Sequence, residues 1–223
     1  MTLETKLVLS TTAALLVGGA LVIGFTEWAN PLTLGALPTE QRLLNAFFES
    51  ATLRTAGFTA LETGAFFEET LFVVMALMFI GGASGSTAGG IKVNTFSVLL
   101  IAIVSTVKGQ PSAMAFGRRI QHAIVYRALA VALLAIGFVF VIGVGLTLTT
   151  EATFVQTLFE AVSAFGTVGA STGITPDLTD PARLITTFAM FVGRLGPLTL
   201  VLALAARARP IPYRPAVEAV RIG

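Results

Sequence analysis

Four stretches of this sequence, residues 7–25, 70–107, 124–148 and 184–206, are long and apolar enough to cross a lipid bilayer. The hydrocarbon core is roughly 30 Å thick, which takes about 20 residues at a rise of about 1.5 Å each. A chain with four such stretches has lipid for its solvent, and every peptide group at that depth must find its partner within protein. Composition agrees: 55% of the residues are hydrophobic and 12% charged, where soluble domains carry about a quarter. The first stretch follows a short leader containing Glu4, which fits a retained spanning helix better than a cleaved signal sequence.

The same counts exclude several classes. A net charge of +2 with dispersed basic residues offers no run able to track phosphates, so nucleic acid is not an expected partner. There is no cysteine, hence no disulfide, thiolate metal site or thiol nucleophile. The one histidine, His122, stands among Arg119, Gln121 and Tyr126 and reads as an interfacial side chain. No HExxH pair, GxSxG elbow or paired aspartates fall in the spans, so an intramembrane enzyme is disfavoured and this chain is expected to bind no cofactor.

Two shorter amphipathic stretches, residues 39–53 and 151–165, lie between the first and second spans and between the third and fourth. Helices of about 15 residues reach only about 22 Å, which predicts re-entrant helices that stop inside the membrane. Thr39 with Glu40, and Thr150 with Glu151, are the expected caps and first-turn acids. Backbone that leaves a helix at that depth is tolerated only against protein or water. Whatever follows each short helix is therefore expected to line a cavity. Lys6, Lys108, Arg118, Arg119, Arg127, Arg207, Arg209, Arg214 and Arg221 flank one side of the spans, and most acids, among them Glu27, Glu62 and Asp177, flank the other. Basic loops stay cytoplasmic, so both short helices enter from outside.

Thr55, Ala56 and Gly57 recur as Thr167, Val168 and Gly169, and Met78, Phe79, Ile80 and Gly81 as Met190, Phe191, Val192 and Gly193, each at an offset of 112. The sequence divides into two copies of helix, re-entrant helix, loop and helix, residues 1–110 and 111–223. Each copy crosses twice, so the two share one orientation about an axis along the membrane normal. Two copies supply only two of the about four sides needed to ring an ion with carbonyls. The expected fold is an all-α membrane protein in which two parallel repeats make half of a four-repeat pore, completed by two missing N-terminal repeats or by a second copy. A fragment, half of a split gene and a whole product all remain open on sequence alone.

A bend of small residues follows each short helix: Thr55, Ala56, Gly57 and Phe58 in the first copy, Thr167, Val168, Gly169 and Ala170 in the second. Carbonyls that replace the water around a cation must turn inward in succession. Glycine permits the positive φ this demands, and the negative end of the preceding helix points the same way. The alternative is a pair of ordinary glycine turns; duplication at one place in the repeat favours an ion filter.

Residues 48–58 (FESATLRTAGF), 81–92 (GGASGSTAGGIK), 163–175 (SAFGTVGASTGIT) and 190–199 (MFVGRLGPLT) resemble the third and fourth repeats of the Trk/Ktr/HKT potassium transporter family, and the similarity runs nearly the whole chain. The resemblance implies K+ as the transported ion, bound at the carbonyls of the eight bend residues, and four repeats around one pore. It also implies a multi-pass subunit of the plasma membrane, the inner membrane of a bacterium, that pairs as a homodimer of full subunits. A cytoplasmic ring of nucleotide-binding regulatory subunits is the further expected partner. Counterparts of the family's first two repeats are lacking.

Of the ten residues from 81 to 90, five are glycine, and no helix runs through such a stretch unbent. A P-loop is excluded by spacing, since Ile91 stands between Gly90 and Lys92, and by the lack of a preceding strand. The resemblance makes this an intramembrane gate of Gly81, Gly82, Gly85, Ser86, Thr87, Gly89, Gly90 and Lys92, with Arg194 beside it; a passive kink is the alternative. Counted from Arg183, Arg194 lies about 16 Å deep, where a charge costs roughly 2.5–3.5 kcal/mol. It is expected to bind loop carbonyls, acting as an electrostatic barrier or as a clamp between helices. Arg54, Glu49 and Glu160 adjoin the bends and either set the potential for entering cations or brace the bend backbone.

Overall fold

The structure, a computed structural model, describes residues 1–196. The end of the fourth predicted span, the last residues of the 190–199 motif, and Arg207, Arg209, Arg214 and Arg221 lie outside the described residues. The described chain runs α1 (Leu3–Glu27), α2 (Thr39–Thr52), α3 (Glu68–Phe79), α4 (Val93–Val107), a hairpin of β1 (Met114–Ala115) and β2 (Arg118–Arg119), α5 (His122–Thr149), α6 (Phe154–Gly166) and α7 (Asp180–Leu195). Helices α1 and α5 are long and apolar enough to cross a membrane. The second predicted span is divided into α3 and α4 by residues 80–92, where the glycines fall.

The helix starts differ from expectation. Thr39 is already inside α2, whose N-cap is Pro38 and which has no side-chain cap; proline carries no side-chain oxygen to accept from the first-turn amides. Thr150 closes α5 instead, its hydroxyl donating to the Leu146 carbonyl at 2.8 Å. Helix α6 starts three residues later than residue 151, where Thr153 and Gln156 form a capping box. The reciprocal pair satisfies two orphan amides where Thr150 with Glu151 satisfies none. The hairpin was not anticipated; Phe116 and Gly117, both at positive φ, supply the tight turn that right-twisted strands require.

Helix α1 packs on α2 and α3, and α5 packs on α6 and α7; α3 on α6 and α4 on α5 join the halves. The joint is apolar, with Val74, Met78, Phe159 and Phe165 buried and the rings of Phe79 and Phe165 stacked at 5.8 Å. Helix α6 is central, every residue from Phe159 to Gly166 being buried. By contrast α2 packs chiefly on α1 and leaves Leu43 and Leu44 65% and 69% exposed.

Two polar clusters fix the ends. At one, the Lys6 ammonium lies 5.6 Å from the Phe116 ring centre, joining α1 to the hairpin. At the other, the carboxylate of Glu27, fully buried, accepts from Asn30 Nδ2 (2.6 Å), Thr33 Oγ1 (2.6 Å) and the Phe67 amide (2.9 Å), tying α1 to the start of α3.

Candidate functional site

Helices α2 and α6 end alike. Thr55 and Gly57 beyond α2 have φ of 72° and 74°; Thr167 and Gly169 beyond α6 have 51° and 92°. A β-branched residue at positive φ is an outlier, and it persists only where surrounding bonds over-determine it. Those bonds are present. Thr52 Oγ1 donates to the Phe58 carbonyl and Ser163 Oγ to the Ala170 carbonyl, each at 2.6 Å. Glu49 Oε1 accepts from the Ala60 and Leu61 amides at 3.0 and 3.3 Å. Glu160 accepts from the Ser171 hydroxyl, the Thr172 amide at 3.3 Å and Thr175 Oγ1 at 3.2 Å. Both carboxylates are buried, and of the two roles anticipated for them the structure gives bracing.

Six carbonyls between these anchors stay unspent. Among the described residues, the carbonyls of Thr55, Ala56, Gly57, Thr167, Val168 and Gly169 accept no hydrogen bond, while those of Phe58 and Ala170 are taken by the helix hydroxyls. The bends lie side by side: a Cβ on Gly57 would run into the Val168 carbonyl, and one on Gly169 would come 3.7 Å from Gly57 Cα. Adjacent free carbonyls beside two helix C-termini favour a cation and can replace part of its water shell.

Residues 80–92 close into a loop on the second half. Ile80 and Ile91 form a parallel bridge, the Gly81 amide donates to the Ile91 carbonyl at 2.6 Å and the Val93 amide to the Gly82 carbonyl at 3.0 Å. The Gly89 amide donates to Thr167 Oγ1 at 3.0 Å and the Gly90 amide to the Phe165 carbonyl at 3.2 Å. A Cβ on Gly89 would stand 2.6 Å from Thr167 Oγ1 and 2.7 Å from the Gly166 carbonyl, so only glycine fits there. At the tip, Gly85, Ser86 and Thr87 are exposed. Lys92 Nζ donates to the Ser86 and Ala88 carbonyls at 3.2 and 2.5 Å, and Arg194 Nη1 donates to the Thr87 carbonyl. Two cations thus hold three consecutive carbonyls.

The model of the cation transport protein family TrkH matches residues 3–209. The chain belongs to that family. It is 42% identical to Ktr system potassium uptake protein B of Bacillus subtilis over 203 residues, 91% of this chain and 46% of that protein. It is 39% identical to potassium/sodium uptake protein NtpJ of Enterococcus hirae, over 100% of this chain and 51% of that protein. The crystal structure of the potassium transporter TrkH from Vibrio parahaemolyticus matches with a TM-score of 0.74 at 19% identity, covering 87% of this chain and 43% of that one, a likeness of fold. The TrkH-family chain therefore spans about half the length of the curated relatives it matches. It is a membrane protein with apolar helices, in a family of cation transport proteins.

Within this TrkH-family chain the structure brings Gly57 of the first bend and Gly89 and Gly90 of the loop against the Phe165–Gly169 segment, and His122 is an exposed residue at the start of α5. Sequence reasoning missed Thr52 and Ser163. They, like Glu49 and Glu160, stand 111 residues apart, whereas the bends repeat at 112. The second copy carries one more residue between anchor and bend, and a search at one fixed offset passes over the anchors. Also missed was Arg42, whose guanidinium donates to the Trp28, Gly35 and Leu37 carbonyls at 3.1, 2.9 and 2.8 Å; an arginine in an otherwise acidic outer loop was the available signal.

Proposed function

We propose that this chain is half of a potassium-conducting pore: two parallel repeats, residues 1–110 and 111–223, in which α2 and α6 are re-entrant and the two bends form two sides of a selectivity filter for K+. The single observation that carries this reading is the set of six neighbouring carbonyls without a donor among the described residues. A buried or pore-depth carbonyl left free is expensive unless something outside the chain satisfies it, and a permeating cation does so. The ion contacts come from Thr55 to Gly57 and Thr167 to Gly169; Phe58 and Ala170 shape the outer ends of the two segments.

Packing supports the half-ring. Helix α3 covers α6, but among the described residues no corresponding element covers the exposed face of α2 with Leu43 and Leu44. Helix α7, the copy of α3, carries Leu184, Phe188 and Phe191 outward, ready to cover another short helix. An array open at both ends is closed by two further repeats. The missing N-terminal repeats are the occupants favoured here, because the relatives are about twice as long.

In this reading residues 80–92 with Arg194 are the gate, seated beneath the second bend. The complete protein lies in the plasma membrane as a multi-pass subunit, pairs as a homodimer, and works with a cytoplasmic nucleotide-binding regulatory ring. The name Ktr system, borne by the Bacillus subtilis relative, fits a pore that acts with other components.

The test is growth at limiting potassium of bacteria defective in potassium uptake. The chain is co-expressed with a matching two-repeat N-terminal half. Rescue that vanishes with Gly169→Asp supports permeation through the bends. No rescue despite demonstrated assembly in the membrane leaves a non-conducting partner subunit.

A further inference from the structure

Arg54 precedes the strained Thr55, and its guanidinium meets no carboxylate among the described residues. Its Nη1 donates to the carbonyls of Ile80 at 2.8 Å and Leu77 at 3.3 Å, at the last turn of α3 where the helix breaks into residues 80–92. A cation suits the negative end of a helix. The arrangement still exceeds what bracing needs, since Nε and Nη2 are also buried and have no acceptor among the described residues, which costs free energy. In the second half the equivalent position is Gly166. It has no side chain and packs directly on the same turn, a Cβ there falling 2.8 Å from the Met78 carbonyl. The last turn of α3 is thus gripped by both bends, through Arg54 on one side and Gly166 on the other, and the same turn starts the loop through the bond from the Ile91 amide to the Phe79 carbonyl at 3.0 Å.

We propose that Arg54 is a positioning residue that couples the first bend to the base of the 80–92 loop, so that cation occupancy of the bends and the conformation of the loop change together. The inference rests on the permeation reading above, and it adds a physical link between filter and gate that does not pass through Lys92 or Arg194.

The chain contains no cysteine, so Ser84→Cys, at an exposed loop position, gives a unique thiol. In membranes holding the chain with a cysteine-free N-terminal half, the rate of labelling by a polar maleimide is measured in potassium and in choline. The Ser84→Cys parent is expected to label more slowly in potassium. Adding Arg54→Gln should raise the rate about tenfold and abolish the difference between the two ions. Adding Arg54→Lys, which keeps the charge but not the fork, should raise it about threefold and also serves if the Gln variant fails to reach the membrane. Parental rates with a parental potassium effect in either variant overturn the coupling. The tenfold arm does not depend on flux, so loss of the permeation reading, decided by Gly169→Asp, is seen separately.

Discussion

The Gly89 amide donates to the hydroxyl of Thr167 at 3.0 Å, so the glycine loop of one half is fastened to the first residue of the other half's bend. Thr167→Val keeps the shape and removes the acceptor. An orphaned partly buried amide costs about 1–3 kcal/mol, which favours a loop lifted from its seat. The expected result is faster potassium uptake together with reduced thermal stability of the purified protein. Uptake and melting both unchanged would show that this bond does not hold the loop.

Gly57 faces the Val168 carbonyl across the two bends at a φ of 74°. Gly57→Ala meets two obstacles, the unfavourable backbone region and a methyl group directed into that carbonyl. The bends must move apart, and carbonyls set wider discriminate less between ions that differ in radius. Potassium uptake at limiting concentration should fall at least about tenfold, the equivalent of about 1.4 kcal/mol in the barrier, with sodium competing better. Uptake assays at varied sodium measure both, and wild-type competition by sodium would contradict the placement of this glycine.

Much of this architecture was legible because membrane folds are constrained by length. The stretches at 7–25 and 124–148 became α1 and α5, and the glycines at 81–90 divided the next span where helix propensity is lowest. The bends were legible because the Thr-X-Gly pattern recurs at one offset. Their anchors were not: Thr52 and Ser163 are ordinary helix residues in sequence, and the one-residue difference between the copies hides their equivalence. Glu27 read as an outer-loop acid from its position alone. Only the three donors that converge on it from α1's own end and from Phe67 explain how a carboxylate comes to be buried there. Cap positions failed for local reasons: Thr149, Thr150 and Thr153 all precede α6 and only hydrogen-bond geometry selects Thr153, while α2 starts from Pro38.

Glu27→Ala removes one acceptor group from three donors, the buried Asn30 Nδ2 and Thr33 Oγ1 and the part-buried Phe67 amide. Unsatisfied donors cost about 1–3 kcal/mol each, so the loss should reach about 3 kcal/mol or more even with relaxation. The variant is expected at lower membrane abundance and with a lower melting temperature in detergent. It is far from the bends in sequence, and any folded fraction should retain ion discrimination. A variant as heat-stable as the parent would mean that water replaces the carboxylate at no cost.

Between them Lys92 and Arg194 hold three consecutive carbonyls, Lys92 those of Ser86 and Ala88 and Arg194 that of Thr87, which allows clamp and barrier to be separated by chemistry. Arg194→Gln removes the charge and keeps a donor of shorter reach for the Thr87 carbonyl; Arg194→Ala removes both. A hydrogen bond from a charged group is worth about 1.5–3 kcal/mol, but Lys92 remains in place after either change and limits how far the loop can move. If the charge itself slows cations, both variants raise the maximal rate of potassium uptake by a similar factor, about tenfold at most. If the bond to Thr87 is what matters, Ala raises it and Gln stays near the parent. The charge is expected to contribute, so Gln should lie clearly above the parent and Ala above Gln. Initial uptake rates normalised to protein in the membrane decide it, and equal kinetics for all three proteins would remove Arg194 from any account of the gate.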